Sequence, residues 1–175
     1  MLSYWAYILI GNNETGKTSF QKCVVSTLCG PQYERLPCNL LTNITHPRMP
    51  RGFGTLSTMN RSYQEKIDEY GDVASFFQRS FKDADICILS SHAHKPATDH
   101  VRKMIRELKL RAYNVAAVFL SNGYDDDAAE ISLRNWDERL WLENPPAESE
   151  VVIESQIAKL ADEFTQLLIA RATLL

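Results

Sequence analysis

The sequence predicts one α/β domain: a mostly parallel sheet of about six strands, one of them in an antiparallel hairpin, with helices on both faces. Three observations carry this. Tyr4-Trp5-Ala6-Tyr7-Ile8-Leu9-Ile10 is an apolar run that ends in a glycine loop and is followed by a helical pattern. Ile86-Cys87-Ile88-Leu89-Ser90-Ser91 and Val115-Ala116-Ala117-Val118-Phe119-Leu120 are uninterrupted runs of the kind central parallel strands show. Helical stripes lie between and after these runs, so strands and helices alternate along the chain.

The loop after the first strand reads Gly11-Asn12-Asn13-Glu14-Thr15-Gly16-Lys17-Thr18, a G-x-x-x-x-G-K-T pattern in strand-to-helix context. Its glycines let the backbone curl and aim N–H groups at phosphate oxygens, while the next helix presents its positive end. Gly11, Asn13, Glu14, Thr15, Gly16, Lys17, Thr18 and Ser19 are the candidate phosphate contacts. Lys17 would reach the outer phosphates, and Thr18 would offer its hydroxyl to Mg²⁺.

Phe20, Val24, Val25 and Leu28 recur at helical spacing until Cys29-Gly30-Pro31 stops the helix. Pro37, Pro47 and Pro50 then interrupt any regular pattern. The basic stretch His46-Pro47-Arg48-Met49-Pro50-Arg51 reads as a solvated loop, its functional alternative being a segment that covers phosphates or meets a partner. Residues 53–59 and 63–68 read as two extended arms joined by Asn60-Arg61-Ser62 in a hairpin-like turn. A helix over 73–81 places Phe76, Phe77 and Phe81 toward the core. Lys95-Pro96 opens another with Val101, Met104, Ile105 and Leu108 on one stripe. Leu140-Trp141-Leu142 is a candidate last strand, and Pro145-Pro146 breaks the chain before a final helix marked by Ile153, Ile157, Leu160, Phe164, Leu167 and Leu168.

Length and composition bound the function. A chain of 175 residues fills one domain, and a net charge of −3 argues against a surface that coats nucleic acid. Cys23, Cys29, Cys38 and Cys87 lack C-x-x-C spacing and read as reduced thiols. The first apolar run has no basic flank, and no stretch reaches the eighteen or so apolar residues of a membrane span, so a cytoplasmic placement is the expectation.

Ligands of parallel sheets bind at the carboxyl ends of the strands. The arm 63–68 leads into Asp68-Glu69-Tyr70-Gly71, a D-x-x-G in which Asp68 could hold Mg²⁺ through water and the Gly71 N–H could face a terminal phosphate. The run 115–120 ends in Asn122-Gly123-Tyr124-Asp125, where Asn122 and Asp125 could recognise guanine, a base whose ring N–H and amine form a donor pair for one carboxylate. Ser90-Ser91-His92-Ala93-His94 also follows a strand, but without neighbouring ligands in the sequence it is not read as a metal or general-base site.

In this order the motifs resemble the Ras-like small GTPase superfamily, with Rab-type proteins the closest likeness, over nearly all of 1–175. The glycine loop looks like the family's phosphate loop, the stretch from Gly52 to Gly71 like its hairpin and D-x-x-G, Phe81-Lys82-Asp83-Ala84-Asp85 and the following run like its helix end and fourth strand, and Asn122-Gly123-Tyr124-Asp125 like N-K-x-D. Trp141-Leu142-Glu143-Asn144-Pro145 falls where the family carries S-A-K. The resemblance implies a P-loop G domain that binds GTP or GDP with Mg²⁺ and meets a protein effector or assembly partner. Departures from the family pattern imply an atypical member. Glu14 replaces a loop glycine, Asp72 stands where a glutamine orients water, Gly123 replaces a lysine, and the closing threonine has three candidates in Thr42, Thr45 and Thr55, with Pro50 a possible occupant of its place. Slow hydrolysis follows, with a non-catalytic scaffold subunit as the alternative and a small P-loop kinase, lidded by Arg134 and Arg139, ranked last. The last residues hold no cysteine, which leaves no prenyl anchor if that end is native.

Overall fold

The computed structural model describes residues 4–121 and 127–173. Six strands form one mixed sheet in the order β2-β3-β4-β1-β5-β6. Its centre is β1 (Trp5–Ile10), paired in parallel along its whole length with β4 (Ile86–Ser91) and β5 (Asn114–Ser121). β6 (Glu138–Glu143) runs parallel to β5, and β3 (Thr55–Met59) parallel to β4. β2 (Asn39–Asn43) is the one antiparallel strand, with Leu41 opposite Ser57.

Alternation across the pleat divides the apolar residues into two cores. Ala6, Ile8, Ile10, Cys87, Leu89, Val115, Ala117 and Phe119 pack toward α3 (Val73–Arg79), α4 (Lys95–Leu110) and α5 (Ala128–Ser132). Tyr7, Leu9, Ile86, Ile88, Ala116, Val118 and Leu120 pack toward α1 (Lys17–Cys29) and α6 (Glu150–Thr173). Helices therefore cover both faces. Continuous apolar runs suit central strands buried on both sides, and full burial of each large side chain stabilises by about 1.5–3 kcal/mol.

The helices begin and end where local chemistry requires. α1 stops at Gly30, whose φ of 88° is left-handed and whose N–H bonds Ser26 O at 3.0 Å. Asp72 caps α3 by accepting from the Ser75 N–H at 2.7 Å. α1 is tied to the sheet beneath it by Gln21, whose Nε2 donates to Met59 O at 3.2 Å and to Ser90 Oγ at 2.7 Å. Among the described residues no helix is long and apolar enough to cross a membrane. The four cysteines form no disulfide, and burial pushes the Cys29 thiol up to about 12.

The hairpin differs from the sequence expectation. Its arms are β2 and β3, whereas 63–68, expected as an arm, is helical: a 3₁₀ turn over Tyr63–Lys66 runs into α2 (Ile67–Tyr70). Tyr63 and Tyr70 are seven apart, share one side of a helix, and stack at 6.3 Å in the core beside Phe76. An extended chain would send them to opposite faces, so burial of two tyrosines overrides the weak alternation. β2 was masked by its polarity, since Asn39-Leu40-Leu41-Thr42-Asn43 lies on a half-exposed edge. The basic stretch 46–51 lies against α6, where Arg48 Nη1 donates to Gln166 Oε1 at 2.9 Å.

Phe164 joins the lower layer to the sheet, meeting Tyr7 edge-on at 5.0 Å and Phe20 at 5.4 Å while 2% exposed. Phe164→Ala should cost about 3–5 kcal/mol, measured as a fall in the urea-unfolding free energy.

Candidate functional site

The parallel strands share one carboxyl edge, and β1 delivers the glycine loop there. The Gly11 N–H bonds Ser91 O at 3.2 Å, which fastens the loop's first residue to β4. Thr15 Oγ1 donates to Asn12 O at 2.9 Å, and Asn12 Oδ1 accepts from the Ala93 N–H at 3.2 Å. A Cβ on Gly11 would stand 2.6 Å from Thr15 Oγ1, so the first glycine is needed for close packing. Gly16 is required twice over, by a φ of 85° and by the Ile157 side chain pressed against its Cα. Asn144, just after β6, closes the far side by donating from Nδ2 to Thr15 O at 3.0 Å.

Lys17 opens α1 with its side chain folded back over the loop, Nζ donating to Gly11 O at 2.5 Å and to Asn12 O at 2.7 Å. Thr18 Oγ1 donates to Asn60 O at 3.3 Å. In front of them is a cleft of about 870 Å³, lined by residues 13–19, by Asn60, Arg61 and Glu65, and by Ile153 and Ile157 of α6. Backbone N–H groups at the start of a helix and a buried ammonium make its floor electropositive.

The opposite wall is Asn60, Arg61 and Glu65, just past β3, and His92, just past β4, contacts it through Glu65. Arg61 Nη1 bonds Glu65 Oε2 at 3.2 Å, and His92 Nε2 lies 3.2 Å from Glu65 Oε1. His92 is 9% exposed, with Nδ1 2.9 Å from His94 Nε2. Burial holds its imidazole below the ordinary value, helped by the Lys17 charge, so at neutral pH it meets Glu65 as a neutral donor and not as an ion. For Glu65, burial pulls upward, but the hydrogen bonds from Arg61 and His92 win and leave the carboxyl below its ordinary value.

The structure brings together the loop residues named from the sequence, Asn13, Glu14, Thr15, Gly16, Lys17, Thr18 and Ser19, around one cleft that Gly11 supports from below. It does not bring Asp68 and Gly71 there. Asp68 is exposed on α2 and lines no part of the cleft, because the chain after β3 turns into a helix at Tyr63. The Gly71 N–H is committed to Ile67 O at 2.8 Å, so it cannot serve a phosphate. Asn122 and Asp125 lie outside the described residues. Asp72 spends its carboxylate on the α3 cap, and Arg139 stands at the amino end of β6, the far edge of the sheet from the loop, donating to Ser132 O and Arg134 O. Arg134 pairs with Glu130, so no arginine lid forms from these two.

Glu65 is the side chain that sequence reasoning misses, and His92 is one it weighs as a metal or general-base residue and sets aside. The arm 53–59 with its turn at Asn60-Arg61-Ser62 already places Asn60 and Arg61 at a strand end, whereas Glu65 is hidden because 63–68 reads as a second arm. No protein-family model matches the chain, and no curated protein matches it significantly.

Glu14 is exposed and holds a φ of 64°, a left-handed conformation that costs a residue with a Cβ about 1–2 kcal/mol. Glycine forgoes that strain but loses about 0.5–1 kcal/mol of chain entropy. Glu14→Gly should therefore raise the unfolding free energy by about 0.5–1 kcal/mol in a urea titration. His92 and His100 are both held below the ordinary histidine value, chiefly by burial. The unfolded chain takes up protons near pH 6.5 while the folded chain does not, so stability is level above that pH and falls on acidification until the folded imidazoles protonate. Urea midpoints should drop between pH 7.5 and 5.5, and the drop should shrink in a His92→Gln/His100→Gln double variant.

Proposed function

We propose that the chain is a phosphate-loop nucleotide-binding protein, an atypical relative of the small GTPases it resembles, which takes up GTP or GDP with Mg²⁺ and acts as a switch or regulated subunit toward a protein partner. The observation that carries the reading is the loop 11–18 at the carboxyl edge of the sheet, with Lys17 and Thr18 opening a long helix under an open cleft. Backbone N–H groups would cradle the phosphates, and the Lys17 ammonium would exchange loop carbonyls for phosphate oxygens. The preference for guanine rests on the Asn122 and Asp125 pattern alone.

Among the described residues no group of three His, Cys, Asp or Glu could hold a metal ion, and Mg²⁺ in nucleotide sites arrives on phosphate oxygens, keeps several waters and needs one or two protein oxygens. Thr18 would be the protein ligand; the metal would neutralise charge on the phosphates. Asp68, on its exposed helix, leaves that role. The turn 60–66, which faces the loop and leads into α2 and α3, is the segment through which a terminal phosphate would act on a partner surface.

One observation favours a scaffold that binds without turnover. Asp72, at the position where the resemblance expects the water-orienting glutamine, is engaged in capping α3.

The test is to denature the purified protein, identify any nucleotide released, and titrate the emptied protein with labelled GDP, GTP and ATP in Mg²⁺. Guanine-selective binding is expected, and Lys17→Ala should weaken it about a hundredfold, the loss of a charge-assisted contact of about 3 kcal/mol, with folding followed by circular dichroism. Unchanged affinity in that variant, or no binding at millimolar nucleotide, would overturn the assignment.

A further inference from the structure

We propose that Glu65 is the catalytic carboxylate of nucleotide hydrolysis in this cleft and that His92 is its positioning residue, an inference that rests on the nucleotide-binding reading above. Among the described residues, Glu14 and Glu65 are the carboxylates lining the cleft. Glu14 belongs to the loop itself, whereas Glu65 faces the loop from the opposite wall, beside Asn60 and Arg61.

A structural reading would make Glu65 merely a fastening of the turn 60–66 to the sheet. Gln64 already does that work. Its Nε2 donates to Ser91 Oγ at 3.0 Å and its Oε1 accepts from the His92 N–H at 3.0 Å. The turn is therefore tied to β4 independently of Glu65, whose carboxylate lines the cleft while Arg61 and His92 hold its two oxygens.

The hydrogen-bond direction follows from chemistry. An ionised carboxylate only accepts, so the neutral His92 carries its proton on Nε2 and gives it to Glu65 Oε1 across 3.2 Å. His92 Nδ1 is then an acceptor, served by the Nε2–H of His94 at 2.9 Å. This chain holds the carboxylate in one orientation but offers no outward path for a proton, because every proton in it already points toward Glu65. His92 therefore orients; it does not relay. The groups facing it are Glu65 and Gln64 from the 3₁₀ turn, Lys17 from the start of α1 and His94 from its own segment.

Arg61 completes the arrangement. Its ion pair with Glu65, four residues on, is 3.2 Å long with Arg61 half exposed, a contact worth little in water. A terminal phosphate in the cleft is a stronger partner for the guanidinium. Moving Arg61 onto phosphate removes a cation from Glu65 and makes the carboxylate a better base as substrate arrives.

The step balances without any further reactant. The water oxygen forms a bond to the terminal phosphorus, the bond from that phosphorus to the bridging oxygen breaks, and its electron pair leaves on the nucleoside diphosphate. The water proton passes to Glu65 and then to the inorganic phosphate.

The experiment is single-turnover hydrolysis of Mg²⁺-GTP and Mg²⁺-ATP by the full chain, with affinity for a non-hydrolysable analogue measured in parallel. Glu65→Gln should lower the rate at least about a hundredfold with affinity changed less than about threefold. His92→Ala should lower the rate about tenfold at unchanged affinity, and His92→Gln, which keeps a donor near Nε2, should restore most of it; a merely structural histidine would show no such selective rescue. Hydrolysis in Glu65→Gln at the normal rate overturns the proposal. So does tight binding with no turnover in the wild-type chain, an outcome that leaves the nucleotide reading standing. Absence of binding removes that reading, and this inference with it.

Discussion

The constraint from which the site follows is the full-length parallel pairing of β1 with β4, Trp5 against Ile86 through Ile10 against Ser91. It inserts β4 between the loop-bearing strand and β3, so two strand ends instead of one look across at the glycine loop. The register ends both strands together, and the Gly11 N–H reaches Ser91 O as the last rung of that ladder. A slip of β4 by one residue would turn Leu89 out of the core it shares with Ile8 and into the other, so the packing that stabilises the sheet also fixes the position of His92.

Beneath the loop the same economy holds. Ile157 of α6 belongs to the lower core and also presses on Gly16, while Asn144 at the end of β6 bonds Thr15 O. The loop thus has supports from β4, β6, α1 and α6. Such bracing is what allows a non-glycine residue to stay left-handed at Glu14, a local cost borne by contacts made elsewhere.

Much of the fold was legible in the sequence because its central strands are nearly pure apolar runs and its helices carry strong punctuation. β1, β4 and β5 need no partner to be recognised, and Gly30 announces the end of α1. What was not legible lies where local and tertiary preferences disagree. Tyr63-Gln64-Glu65-Lys66-Ile67-Asp68 alternates enough to pass for a strand, and only the common pocket for Tyr63 and Tyr70 makes it helical. β2 shows no pattern of its own since one edge and much of its surface meet solvent. The site shared that fate. The loop was plain from eight consecutive residues, but its far wall is Asn60, Arg61 and Glu65 with His92 bonded to Glu65, whose proximity is a product of strand order and leaves no trace in spacing.

The posture of Lys17 has one more consequence. Its ammonium is solvated by the carbonyl dipoles of Gly11 and Asn12, within 2.7 Å of each. An anion that takes the ammonium must displace these two carbonyls, so arrival at the loop includes a side-chain rearrangement, and association should be slower than the simple encounter of an anion with an exposed lysine.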